Sequence, residues 1–216
     1  MPPPQPVWLF DLDDTLHRAD AGIFLLINRR MTAFMARELG LSLPEASELR
    51  EHYWRHYGAT LGGLQRHHPH IRPADFLRQS HHLPELLAAL QPMPHAAEAL
   101  AALPGRKAVF SNGPAFYVRA LVEAMGLGGH FDALLGVDDL ALHHKPQPQA
   151  FHLACAALDV LPPQCILVDD SAANLRAAKA LGMRTVWFGS RAEPQPFADY
   201  VARDMLDVRD LAGGIG

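Results

Sequence analysis

The chain has 216 residues, 49% of them hydrophobic and 19% charged, with a formal net charge of −4; this fits one large domain or a core domain carrying a smaller insert. There is no basic excess to attract nucleic acid, no block of like charge that would make a tail, and no apolar run long enough to span a bilayer. The opening Met1-Pro2-Pro3-Pro4-Gln5-Pro6 lacks the positive segment and apolar core of a secretory signal and reads as a stiff, frayed lead-in.

Val7-Trp8-Leu9-Phe10 runs straight into Asp11-Leu12-Asp13-Asp14-Thr15-Leu16. A continuous apolar run ended by polar residues predicts a strand buried on both faces, as in a parallel sheet. Ile23, Leu26, Ile27, Met31, Phe34, Met35 and Leu39 recur at helical spacing up to Gly40, and a second helix is predicted from Pro44 to Gly58. Gly62-Gly63 is expected to break the chain, His67 to Pro73 to be irregular, and further helical pieces to fill Ala74 to Leu90. No strand pattern occurs from residue 17 to residue 90, so an all-helical insert follows the first strand. His52, His56, His67, His68 and His70 fall in it; with no cysteine or acid to complete a ligand set, they read as solvated or stacked rings.

After Gln91-Pro92-Met93-Pro94 the rhythm alternates. Helices are expected at 96–103, 116–125, 146–158 and 172–181, and strands at 107–110, 131–137, 165–168 and 184–188. A short strand at Tyr200-Val201 and a last helical turn follow. Alternation at this spacing means right-handed crossovers and a parallel sheet. Cys155 and Cys165, the two cysteines, lie in apolar segments and read as buried free thiols in a reducing cytoplasm.

A parallel sheet gathers the carboxyl ends of its strands on one edge. Asp11 and Asp13, Ser111 and Asn112, and Asp169 and Asp170 would meet there, and Lys145 in the preceding loop would reach them. Acids so crowded repel unless a cation sits among them or a proton is held. An all-oxygen nest suits Mg²⁺, and the hydroxyl, amide and ammonium suit phosphate oxygens.

These motifs resemble the haloacid dehalogenase superfamily of phosphohydrolases: Asp11-Leu12-Asp13-Asp14-Thr15, Val109-Phe110-Ser111-Asn112, Lys145 in His144-Lys145-Pro146, and Leu167-Val168-Asp169-Asp170-Ser171. The resemblance implies an α/β fold, with a Rossmann-like parallel-sheet core (residues 1–16 and 91–216) and an all-helical cap inserted after the first strand (17–90). It implies Asp11 as the nucleophile that becomes an aspartyl-phosphate, and Asp13 as the general acid and base. Ser111 and Lys145 would hold phosphoryl oxygens, Thr15 would fix the loop, and Asn112 would line the site or shape its turn. Mg²⁺ would be held by Asp11, the backbone carbonyl of Asp13, and Asp170, with Asp169 a ligand or a neighbour of one. An aspartate at position 13 favours phosphoryl chemistry over dehalogenation, since halide leaves without a proton. The second aspartate that many members carry four residues after the metal-binding acid is replaced by Asn174; an amide can still hold a metal-bound water, so altered ion affinity rather than inactivity is expected.

Within the superfamily, Phe10 to Leu16, Ala36-Arg37-Glu38-Leu39-Gly40 and Tyr53-Trp54-Arg55-His56-Tyr57-Gly58 look like pyrimidine 5′-nucleotidases. That likeness implies a nucleoside monophosphate, UMP or CMP, as substrate of a cytoplasmic monomer or homodimer, with the cap reading the leaving group. Tyr53, Trp54 and Tyr57 would either pack the cap or stack on a base. Arg18, Arg29 and Arg30 would be solvated or meet a second anionic group. The competing readings are a sugar-phosphate or phosphoglycolate phosphatase, a phosphomutase on the same scaffold, and a phospho-accepting signalling domain. The last would place its acidic pair first and its acceptor later, and has no helical insert.

Overall fold

The computed structural model describes residues 5–213; most of the proline-rich lead-in, residues 1–4, lies outside them. Contacts divide the chain into two units. One runs to Arg18 and resumes at Gln91; the other is Ala19–Leu90.

The first unit is built on a six-stranded parallel sheet. Its strands are β1 (Val7–Phe10), β2 (Lys107–Phe110), β3 (Ala133–Leu135), β4 (Cys165–Asp169), β5 (Arg184–Phe188) and β6 (Tyr200–Ala202), in the order β3-β2-β1-β4-β5-β6. The sheet grows from β1 in both directions, so the carboxyl end of β1 stands where the strand order reverses, the place at which such sheets bind ligands. Every residue of β1 and β4 is buried, which is why both read as unbroken apolar runs. Phe10 is level with Val109 on one side and Val168 on the other, so Asp11 and Asp169, one residue further, and Ser111, two further, emerge at the same edge.

In this unit α6 (Ala96–Ala102), α7 (Ala115–Ala124), α8 (Pro148–Ala157), α9 (Ala172–Ala180) and α10 (Met205–Asp210) supply the helices. The core includes Leu9, Phe110, Phe151, Leu167 and Leu175. Cys155 and Cys165 are buried and free, their sulfurs 3.8 Å apart. The strand expected over 131–137 is shorter because the chain leaves the ladder at Gly136, where a Cβ would fall 2.3 Å from the amide nitrogen of Ala115. The expected helix at 146 starts instead at Pro148, since residues 145–147 form the turn that carries Lys145.

The second unit holds α1 (Ile23–Leu39), α2 (Leu43–Tyr57), α3 (Thr60–His67), α4 (Pro73–Ser80) and α5 (Leu83–Ala88). Ser42 caps α2 through a capping box with Glu45, satisfying amides that the helix leaves open. Gly62-Gly63 does not break the chain: both lie inside α3. A Cβ on Gly63 would sit 2.1 Å from Cγ of Tyr53, so glycine is there to let α3 close on α2. Tyr53 is thereby core rather than a stacking platform, 5% exposed and bonded to Nε2 of His68 at 2.9 Å. His52 and His56 stack at 5.8 Å. Arg30 is engaged by both carboxylate oxygens of Glu85, at 2.5 and 2.8 Å. No helix among the described residues is long and apolar enough to cross a membrane.

Candidate active site

Asp11 takes its position from the sheet. Its amide donates to the Val168 carbonyl at 2.9 Å, continuing the ladder one residue beyond β1, and the residue is 8% exposed. Asp14 then adopts a left-handed conformation (φ 57°), which a short polar side chain tolerates. The amides of Leu16 and His17 return to the Leu12 carbonyl at 2.9 and 3.4 Å. The loop is thus held by its backbone. Thr15 is fully buried, with its hydroxyl unpartnered among the described residues.

Lys145 is 1% exposed, and its ammonium lies 2.9 Å from Oδ1 of Asp11 and 2.8 Å from Oδ2 of Asp169, with the Phe110 ring centroid at 4.9 Å. Burial alone would lower the pKa of this amine, but the charges of Asp11 and Asp169 outweigh it and raise the value, so it stays an ammonium. Asn112 sets the loop: its amide donates to the Lys145 carbonyl at 2.9 Å and accepts from the Lys145 amide at 2.8 Å. Asn112 therefore shapes the turn that delivers Lys145. Ser111, 1% exposed, accepts the Gly113 amide at 3.0 Å.

Asp169 is fully buried and richly supplied with donors. Its Oδ1 accepts the Ser171 amide (2.8 Å) and Nδ2 of Asn174 (3.0 Å); its Oδ2 accepts Lys145 and, at 3.1 Å, Asn174 again. The Asn174 side-chain amide nitrogen is thus turned onto Asp169. One carboxylate oxygen from each of Asp11, Asp169 and Asp170 lies within 4.8 Å of the others. Desolvation, then the charges of Asp169, Asp170 and Asp13, raise Asp11 well above the usual carboxylate range in spite of Lys145. The protein packed round the carboxyl group of Asp170, then the charges of Asp169 and Asp14, push that residue up to about 7. By contrast, the acids after β3 are spent on backbone: Asp138 accepts the Ala115 amide and Asp139 the Gly136 amide.

Two residues absent from the sequence motifs belong to this edge. Tyr117, on α7, and His17, after the first loop, both reach Asp13, at 2.5 and 3.0 Å. His17 stands four residues after Asp13, a spacing that was available as a signal; Tyr117 is 104 residues away and gave none.

Comparison with known proteins agrees with this geometry. The model of the family described as "haloacid dehalogenase-like hydrolase" matches residues 7–182. Validoxylamine A 7′-phosphate phosphatase of Streptomyces hygroscopicus subsp. limoneus is 33% identical over 103 residues, 47% of this chain and 48% of that protein. Fructose-1-phosphate phosphatase YqaB of Escherichia coli K12 is 33% identical over 103 residues, 47% of this chain and 54% of that one. A phosphoglycolate phosphatase of Pectobacterium atrosepticum is 27% identical over 188 residues, 82% of this chain and 77% of its own. The chain thus spans about half the length of the first two. Among solved structures, an HAD phosphatase from Thermococcus onnurineus superposes with a TM-score of 0.69 at 24% identity, covering 97% of this chain and 99% of that one. CbbY from Rhodobacter sphaeroides in complex with phosphate gives 0.66 at 24% identity, covering 98% and 99%. These likenesses concern the fold. With the family model covering most of its length, this chain belongs to the haloacid dehalogenase-like hydrolases.

Proposed function

We propose that the protein hydrolyses small phosphate monoesters of the sugar-phosphate or phosphoglycolate class through an aspartyl-phosphate on Asp11. The observation that carries this is Asp11 itself: a buried carboxylate at the strand-order reversal, faced by the Lys145 ammonium at 2.9 Å and by two further acids. Relatives are named for phosphoglycolate and sugar-phosphate substrates, and none of these names is a nucleotide's. The nucleoside monophosphate expected from the cap motifs therefore yields to the alternative.

The donor set fits a divalent cation. Three carboxylates converge, two of them on the one ammonium, and burial, then the neighbouring acids, make Asp11 and Asp170 hold their protons more tightly than ordinary aspartates, as in a buried pocket with more acids than cations. Asp11 and Asp170 would hold the ion; Asp169, already accepting four hydrogen bonds, holds Lys145 in place instead. When bound, Mg²⁺ neutralises carboxylate and phosphoryl charge that would otherwise repel.

The chain's own residues supply the rest. The Asp11 carboxylate attacks phosphorus in line, and the ester P–O bond breaks with its electron pair on the departing oxygen. Asp13 gives that oxygen its proton, releasing the alcohol. Asp13, now ionised, takes a proton from water as the water oxygen attacks phosphorus; the bond to Asp11 breaks and its carboxylate returns. Ser111 and Lys145 face the phosphoryl oxygens, where charge is spread in the transition state. Sugar and glycolate esters leave as strongly basic alkoxides, so they need the proton that Asp13 carries.

The test is phosphate release from 2-phosphoglycolate, fructose 1-phosphate, other sugar phosphates, UMP and CMP, with and without Mg²⁺. Turnover of an alkyl ester in Mg²⁺, abolished in Asp11→Asn with an unchanged melting curve, is expected. Full activity of that variant would remove Asp11 as nucleophile; exclusive turnover of UMP or CMP would overturn the substrate class.

A further inference from the structure

A carboxylate that gives and then takes a proton must keep one orientation through both steps. Nothing in an aspartate side chain guarantees this, because its terminal torsion is broad. In this chain two buried groups converge on one oxygen of Asp13. The Tyr117 hydroxyl donates to Oδ1 at 2.5 Å, Nε2 of His17 lies 3.0 Å from the same atom, and the two partners are 3.4 Å apart. Tyr117 and His17 are 0% exposed, whereas the Asp13 side chain keeps 19%.

Both partners are themselves held. The Tyr117 ring occupies the space that a side chain at Gly113 would fill; a Cβ there would fall 2.7 Å from Cδ1. His17 is bridged to Asp13 on one side and to Pro92 on the other. Its Nδ1 is buried without a hydrogen-bond partner among the described residues. A proton on Nδ1 would be a buried donor with no acceptor and would aim the Nε2 lone pair at a carboxylate oxygen. A proton on Nε2 meets Oδ1 and leaves only an unfilled acceptor, so this tautomer is the favoured one.

We infer that Tyr117 and His17 are positioning residues that fix the Asp13 carboxylate by donating together to Oδ1. This rests on the acid–base reading of Asp13.

The test compares an alkyl ester (2-phosphoglycolate or fructose 1-phosphate, whichever is turned over) with p-nitrophenyl phosphate, whose phenolate leaves without a proton. In Tyr117→Phe, kcat on the alkyl ester is expected to fall about 10- to 100-fold with KM nearly unchanged. With p-nitrophenyl phosphate the first half-reaction proceeds and the water step lags, so a burst of about one equivalent of nitrophenolate precedes slow turnover. His17→Gln, read in the same way, gives the same pattern more weakly and serves if Tyr117→Phe melts early. Structural damage alone would slow both substrates together with no burst, and that result, or wild-type kinetics in both variants, overturns the proposal. Asp13→Asn separates the two levels. If it is inactive on the alkyl ester while Tyr117→Phe is unimpaired, the positioning role alone falls; if it is fully active, the acid–base reading falls and this one with it.

Discussion

Lys145→Met tests the electrostatic balance of the site. Methionine keeps most of the apolar stem while deleting a charge that lies 2.9 Å from Asp11, 2.8 Å from Asp169 and 4.9 Å from the Phe110 ring centroid. Asp169 retains the Ser171 amide and Asn174, whereas Asp11, buried and already raised by its acidic neighbours, is the group that must respond. It takes up a proton. Holding a proton on an aspartate at pH 7 costs about 1.4 kcal/mol for each of the roughly three units above its ordinary pKa, or about 4 kcal/mol. This sets a ceiling, because protonation is always open as an escape, and it falls within the ~3–5 kcal/mol observed when one partner of a buried ion pair is removed. A loss of about 3–4 kcal/mol corresponds to roughly 6–16 °C in Tm for a chain of this size. The sign with pH follows. Losing Lys145, the one charge that lowers it, raises Asp11 further, so above the pH at which wild-type Asp11 gives up its proton the folded variant keeps one that folded wild type has released; its stability relative to wild type falls as pH rises there and recovers at lower pH. Thermal melts by circular dichroism in EDTA, at intervals from pH 4 to 7, provide the measurement. A Tm gap that is absent at pH 7, or constant across the range, would refute the reasoning.

Asp170, pushed up to about 7, implies the same sign in the wild-type protein. Without metal the folded state holds a proton there that the unfolded chain has released above about pH 4, so wild type loses stability relative to Asp170→Asn as pH rises toward 7. Mg²⁺ competes with that proton and should raise Tm more at pH 8 than at pH 5; equal increments would contradict the assignment. In the helical unit, Gly63→Ala drives a methyl group against Tyr53 and should cost about 1–3 kcal/mol, seen as a lower Tm, whereas Gly40→Ala meets no atom within 4 Å and tests only the left-handed turn.

The catalytic edge was legible in the sequence because burial on both faces leaves an unmistakable trace. β1 and β4 must be apolar throughout, so the acids that end them stand out, and the parallel order of strands dictates that those ends meet. Asp11, Asp169 and Ser111 follow from that alone, whereas Lys145, in a loop, was marked by its motif. Helical periodicity likewise marked α1 and α2. Gly62-Gly63 misled because a glycine pair is a local breaker, while its use here, close approach of α3 to Tyr53, exists only between helices.

Sequence by itself determined the class of fold and the sheet edge at which the acids of β1 and β4 gather, since these depend on periodicity and on chain order. Only the tertiary structure decided how each polar group is spent. Asn112 braces Lys145, Asn174 holds Asp169, and Tyr117 meets Asp13 across 104 residues. Hydrogen bonds act over about 3 Å and between particular atoms, and no pattern of apolar and polar letters records which atoms the packing brings that close.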